Sequence, residues 1–302
     1  MVLLKPLLYF SLFRYPLTEE EIFAFSEMKN KEECKKELNT LVKDKIIYHI
    51  DDFYLFENSD TTIKRRILGN QKAKDIYSKA NKVSRFISKF PFVEGVGISG
   101  SLSKGYYDEN SDIDFFIITS SKRLWIARTL LVLYKKIFLF NSRKFFCVNY
   151  YISTNSLEIS EQNRFTATEL ATMIPMYGNG SFHDFYEHNK WANAFLPNKI
   201  ITEGLTNLNA IKKPILIKLT EKLLSNKLGN TLDALFLKIT YKRWKVKFKN
   251  MDQDHFNIAM KSTKNVSKHH PRNYQKQVID RLNQKYLEYY KKYNIHLSKE
   301  YA

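Results

Sequence analysis

Cysteine is nearly absent from this chain: Cys34 and Cys147 are the only two in 302 residues, far apart and in no metal-type spacing. A disulfide framework and a zinc cluster are thereby excluded, and reduced thiols in a cytoplasmic protein are the expectation. No uninterrupted apolar run reaches membrane length either. The start, Met1 to Phe13, is apolar enough to imitate a signal peptide, yet it has no small-residue cleavage site and runs straight into Arg14-Tyr15-Pro16. It reads as a core helix. Leu124 to Phe140 is broken by Arg128, Lys135 and Lys136, and its apolar residues recur at helical spacing, so an amphipathic helix is expected there and no membrane span. Carboxylates are also in short supply, 31 against 49 Lys and Arg, which leaves a formal charge of +18. Such an excess attracts polyanions: nucleic acid, nucleotide phosphates or anionic lipid. Twenty-one of the cations, against eight carboxylates, fall after residue 200, so the excess is concentrated in the C-terminal part. Internal repeats, low-complexity tracts and useful heptads are missing as well. What remains is an ordinary globular composition, 44% hydrophobic, long enough for two or three modules with cores of their own.

The informative stretch is Gly97 to Thr119. A β-leaning segment, Val93 to Ser99, meets Gly100-Ser101; a polar loop follows, and Asp112-Ile113-Asp114 opens a β-branched and aromatic run. If that run is a strand, alternation puts Asp112 and Asp114 on one face, about 7 Å apart along the chain direction. Two carboxylates on one face repel unless a cation lies between them, and hard oxygen donors suit Mg²⁺ or Mn²⁺. Gly100-Ser101, where a strand turns into a helix, offers free backbone N–H groups and a hydroxyl to a phosphate.

This arrangement resembles the nucleotidyltransferase superfamily that includes polymerase β, the aminoglycoside nucleotidyltransferases and the minimal nucleotidyltransferases. The family pattern is a hydrophobic strand ending in Gly-Ser, roughly ten residues, then Asp-x-Asp opening the next strand. Gly100-Ser101, ten residues and Asp112-Ile113-Asp114 match it, with Lys104 and Ser111 inside the spacer also in keeping. The likeness covers about Val93 to Ile152. It implies a mixed α+β sheet, metal held by Asp112 and Asp114, and a nucleoside triphosphate held by Gly100, Ser101, Lys104 and Ser111. In the family the third strand presents a third carboxylate; here the polar residue of Phe145 to Ile152 is Asn149, which can hold a metal or a hydroxyl but cannot take a proton. Two downstream carboxylates are candidates to replace it. Glu158 follows the loop after that strand. Glu169 is the better placed as base, although Thr166 three residues before it reads equally as an N-cap with Glu169 completing a capping box.

Three modules are expected. Residues 1–60 read as winged-helix-like: helices from Leu3, from Thr18 (capping box with Glu21) and from Asn30, then a hairpin turning at Asp51-Asp52. The third helix mixes Glu32, Glu33 and Glu37 with Lys31, Lys35 and Lys36, which is poor material for a DNA major groove. Residues 61–198 hold the nucleotidyltransferase-like sheet, entered by a long basic helix whose Lys64, Arg65 and Arg66 either reach a phosphate or form a solvated face. Residues 199–302 read as a basic helical C-terminal region. There Tyr241 to Lys249 alternates cations with aromatic rings, which fits either a nucleic-acid track or a core stripe with snorkelling lysines. Lys261 to Arg272 reads as a basic loop in which His269-His270 face a phosphate. His183 and Glu187, one turn apart, read as a surface pair lacking a third ligand.

The leading expectation is an Mg-dependent nucleotidyltransferase moving an NMP from an NTP to a hydroxyl of an unidentified acceptor, a small molecule, a protein or an RNA end, with release of pyrophosphate. Asp112, Asp114 and Glu169 are the catalytic candidates, with Asn149 at the substrate. The alternative is a catalytically reduced nucleotide- or nucleic-acid-binding protein that uses the winged helix and the basic C-terminal helices.

Overall fold

A computed structural model describes residues 2–199, 205, 208 and 210–301. The first three helices are α1 (Leu4–Ser11), α2 (Glu19–Ala24) and α3 (Lys31–Lys43), followed by the antiparallel hairpin β1 (Tyr48–Ile50) and β2 (Phe53–Leu55). The starts of α2 and α3 are set by side chains. Thr18 accepts from the Glu21 N–H while Glu21 accepts from the Thr18 N–H, closing the capping box, and Asn30 accepts from the N–H groups of Glu32 and Glu33.

A 28-residue helix, α4 (Asp60–Ile87), leads into β3 (Val93–Ser99), the single turn α5 (Gly100–Ser103), β4 (Asp114–Thr119), α6 (Leu124–Phe138) and β5 (Cys147–Ser153). Then come α7 (Arg164–Thr172), β6 (Ile174–Tyr177), α8 (Asn179–His188) and a 3₁₀ turn, Lys190–Ala194. The C-terminal part contributes α9 (Ile215–Leu223), α10 (Lys227–Lys247), α11 (Gln253–Ala259), β7 (Val266–Lys268) and α12 (Tyr274–Tyr293).

The sheet runs β6-β3-β4-β5-β7, with β4 and β5 parallel and every other pairing antiparallel. It is covered on both faces, which is why β4 reads as an unbroken apolar run after its first residue. Phe115 and Ile117 pack with Ala73, Ala80, Trp125 and Leu131 under α4 and α6. Phe116 and Ile118 pack with Phe182 and Phe185 of α8 and with α1, α7 and α12. The second core is continuous from Leu3 to Ile295, so the first sixty residues and the last thirty share one interior with the sheet. Polar ties reinforce it. Arg164 is buried between Glu27 (2.9 Å) and Glu300 (2.6 Å), and the Asn198 amide donates to the carbonyls of Phe23, Ser26 and Met28. On the opposite face the Asp233 carboxylate of α10 accepts from the Trp125 and Ile126 N–H groups (2.8 and 3.0 Å), capping α6 from another helix.

Several expectations change. Pro175 and Met176 lie in edge strand β6. Lys261 to Arg272 is not a basic loop: it holds β7, which pairs with β5 and is buried along its length. In α10, Trp244 is buried against Phe256 and Met260, and Phe248 packs on the same cluster, so these two rings serve the core and do not stack on bases. Among the described residues no helix is long and apolar enough to cross a membrane.

Candidate active site

Asp114 is the first residue of β4, and its neighbours fix it. The register places it beside Ser99 of β3 on one side and Cys147 of β5 on the other. Gly100 follows Ser99 with φ of +71°, a left-handed backbone that an L side chain rarely adopts. A Cβ built there would lie 2.5 Å from the Asp114 Oδ2, so glycine is needed twice over: for the turn and for the carboxylate that leans on it. Ile113 is buried beneath α4 and α6, and its N–H and C=O continue the ladder to Lys144 and Cys147. Alternation therefore turns Asp112 and Asp114 together away from that core.

Burial pushes the Asp114 carboxyl up to about 6. A hydrogen bond from the Cys147 thiol opposes the shift, the charges of Asp112 and Glu169 add to it, and Lys104 opposes it. A buried carboxylate pressed by two others is a site that gains from a cation.

Glu169 reaches this place from α7. The expected Thr166 cap is not formed: α7 begins two residues earlier, Asn163 caps it by accepting from the Thr166 N–H, and Glu169 becomes an interior residue of the helix. Its carboxylate takes the Lys104 ammonium at 2.7 Å, and the same ammonium donates to the Gly100 carbonyl at 3.1 Å. Glu158 is exposed and accepts from Gln162 instead, with no contact to the aspartates. Ser111 is bonded to Asp108 within the 108–111 turn, so its hydroxyl shapes the loop. Ser101 is half-buried in α5, and its carbonyl accepts from the Lys104 and Tyr106 N–H groups.

With this geometry in place, the comparison with protein families is decisive for the centre of the chain: residues 80–163 match the family model described as a nucleotidyltransferase domain. This segment belongs to the nucleotidyltransferase superfamily. No curated protein and no solved structure matches the chain.

The nucleotidyltransferase domain has its own variation on β5. Asn149 sits at a bulge, where the pairing steps from Phe115↔Val148 to Phe116↔Tyr150, and its amide donates to the Cys147 Sγ at 2.8 Å. Cys147 was not among the residues picked out by sequence, although it is the one directly across from Asp114. Only the register reveals it. Burial first, then the Asp114 charge, pushes its thiol well above the ordinary range, so it stays protonated and donates. Among the described residues no three His, Cys, Asp or Glu side chains gather as a metal group. The protein thus offers two hard carboxylates, Asp112 and Asp114, and a divalent ion there would complete its shell with substrate oxygens and water.

Tyr15, before α2, and Asn70, on α4, hold the loop at Lys104 and Gly105 from outside. The Tyr15 hydroxyl donates to the Lys104 carbonyl (3.1 Å), while the Asn70 amide donates to the Gly105 carbonyl (2.5 Å) and to the Tyr15 oxygen (3.2 Å). Tyr9 is buried close enough to Glu169 to feel its charge. Arg65 and Arg66 are structural: Arg66 is buried on Glu21 (2.7 Å) and Pro16, and Arg65 lies over the Tyr106 ring and on Asp108. His183 and Glu187 turn to separate partners, Asp184 and Lys190. His269 and His270 pack inward, His269 against Trp244, and do not face the aspartates' loop.

Proposed function

We propose that the protein is a divalent-metal-dependent nucleotidyltransferase that moves an NMP from an NTP to an acceptor hydroxyl and releases pyrophosphate. The observation that carries this reading is the Asp112–Asp114 pair, with Asp114 leaning on Gly100, which joins two carboxylates to a backbone turn inside a nucleotidyltransferase domain. Mg²⁺ or Mn²⁺ bound to that pair would supply charge neutralisation at the phosphates. Around it, the chain's residues divide the work of positioning and electrostatic stabilisation. Gly100 and Ser101 receive the terminal phosphates, with Ser111 keeping the loop in shape.

Lys104 and Glu169 act as a pair. In the free protein they neutralise each other at 2.7 Å. An arriving triphosphate competes for the Lys104 ammonium, and each step of that exchange leaves the Glu169 carboxylate freer to take the proton of an acceptor hydroxyl. Asn149 cannot take that proton, and the Cys147 thiol is held protonated, so Glu169 is the residue left for the role. The acceptor hydroxyl attacks the α-phosphorus, the bond to pyrophosphate breaks, and the proton passes to Glu169.

A second reading is favoured by one observation, the Cys147–Asn149 pair in place of a third carboxylate on β5. In it the protein binds a metal–nucleotide without turning it over. Calorimetric titration of ATP, GTP, CTP and UTP with and without Mg²⁺, alongside pyrophosphate release, separates the two. Turnover that vanishes in Asp112→Ala with Asp114→Ala supports transfer. Metal-dependent binding without turnover across acceptors supports the second reading, and no NTP binding at all defeats both.

A further inference from the structure

A second charged cluster lies across β5 from the aspartates, and its sign is opposite. Arg128 and Lys135 are seven residues apart on α6, two helical turns, and so share one stripe. Both face inward. Arg128 is 9% exposed and Lys135 7% exposed. Among the described residues neither has a carboxylate within ion-pair distance. Arg128 is flanked by the rings of Trp125 (5.4 Å) and Trp244 (4.8 Å), and its one hydrogen bond is a long one, 3.4 Å, to the Thr240 hydroxyl. Lys135 has no side-chain hydrogen bond among the described residues.

Two hydroxyls share the region. Tyr151 of β5 and Ser267 of β7 are cross-strand partners, both buried and both without a hydrogen-bond partner among the described residues. Tyr151 belongs to the core beneath α6, and its hydroxyl feels the Arg128 charge. His269, two residues after Ser267, rests on Trp244 at 5.0 Å and is kept neutral by burial and by the surrounding cations. Arg143 and Lys247 act on it too, and both are exposed.

Cations without counter-ions are expensive to bury, and so are hydroxyls without partners. Helix α6 turns both cations inward, β5 and β7 supply both hydroxyls on the face that α6 covers, and two more cations lie exposed near His269. A monoanion would leave one buried charge uncompensated; a dianion matches both, and phosphate also accepts from the two hydroxyls. We propose that Arg128, Lys135, Tyr151 and Ser267, with His269 beside them, form a binding site for the dianionic phosphate of a small phosphomonoester. The site lies on the face of the sheet that α6 covers, opposite to the one toward which Asp112 and Asp114 turn, so binding there is independent of the nucleotidyl-transfer reading.

The test uses the full chain, glycerol phosphate as the monoester and inorganic phosphate as the bare ion, titrated calorimetrically without nucleotide or metal. The expected result is monoester binding that persists in Asp112→Ala with Asp114→Ala, weakens at least tenfold in Lys135→Met, and weakens several-fold in Arg143→Ala. The last is an exposed substitution that leaves the fold in place. No monoester binding, binding of the bare ion alone, or binding indifferent to both cationic variants would overturn the site.

Discussion

The two sides of Cys147 differ in more than sign. On the acidic side, Asp114 feels the charges of Asp112 and Glu169, Lys104 pairs with Glu169, and Tyr15 and Asn70 brace the loop that carries Lys104. On the basic side, Arg128 is buried against two tryptophans and Lys135 is buried two turns further along the same helix, and neither pairs with a carboxylate among the described residues. Each side is unbalanced, and in opposite directions. A fold rarely tolerates one such imbalance without a ligand to meet it; two, on opposite faces of one sheet, fit two separate ligands, a metal-bound nucleotide and an anion.

The largest expected effect breaks the acidic side outright. Replacing Asp112 and Asp114 by alanine should lower pyrophosphate release by about 10³-fold or more, measured with the folded state checked by circular dichroism. Gly100→Ala comes next. The left-handed backbone and the approach of Asp114 should cost about 1–3 kcal/mol of stability, read as a lower denaturation midpoint, with nucleotide binding lost at temperatures where the variant is still folded. Glu169→Gln tests the base more selectively: kcat should fall about 10²-fold while KM for the NTP changes little, because the amide still accepts from Lys104. An equal loss in both parameters would mean that Glu169 only positions Lys104.

The basic side gives an effect of opposite direction. Lys135→Met removes a buried charge that has no partner, so the thermal midpoint should rise, by an amount equivalent to about 1 kcal/mol or more, even as phosphomonoester binding is lost. A fall would mean that Lys135 has a counter-ion in solution. The smallest effect is in pH. Burial holds the His269 ring down to about 3 and the His270 ring to about 4, below the ordinary 6.5. From pH 6.5 downward the unfolded chain takes up protons that the folded chain refuses. Stability is therefore full above 6.5 and falls with pH by up to about 1.4 kcal/mol per unit for each ring. His270→Gln should flatten the midpoint's decline between pH 6.5 and 5.

The same comparison explains what could be read from the sequence. The acidic site was legible because its parts are close in the chain: Gly100, Asp112 and Asp114 span fifteen residues, and strand alternation alone puts the carboxylates together. Cys147 was not legible, since which β5 residue faces Asp114 depends on where the ladder starts and on the bulge at Asn149. Glu169 was half legible. Its sequence fits a capping box, and only the start of α7 at Arg164, set by Asn163, converts it into an inward-facing helix residue. The basic site was hidden because it is assembled from α6, β5 and β7, with Arg128 and Ser267 far apart in the chain, and because β7 is three residues long in a stretch of loop-like composition. Such short edge strands owe their existence to the neighbour they pair with, β5 here and β3 for β6, and their own residues carry little of the signal. The second and third helices were readable from their caps, Thr18 and Asn30, and the hairpin from its turn at Asp51-Asp52.

The bond from Tyr15 to the Lys104 carbonyl bears on what can be inherited, copied or cut as a unit. The eighty-odd residues with family likeness include the aspartates and the loop, yet the residues that brace the loop, Tyr15 and Asn70, lie upstream of them, and the base candidate Glu169 lies downstream. An excised 80–163 fragment would keep the motif and lose what holds it in shape. The smallest portable form of the folded loop is accordingly much longer than its recognisable signature, and shuffling the signature into another scaffold would have to carry the brace along with it.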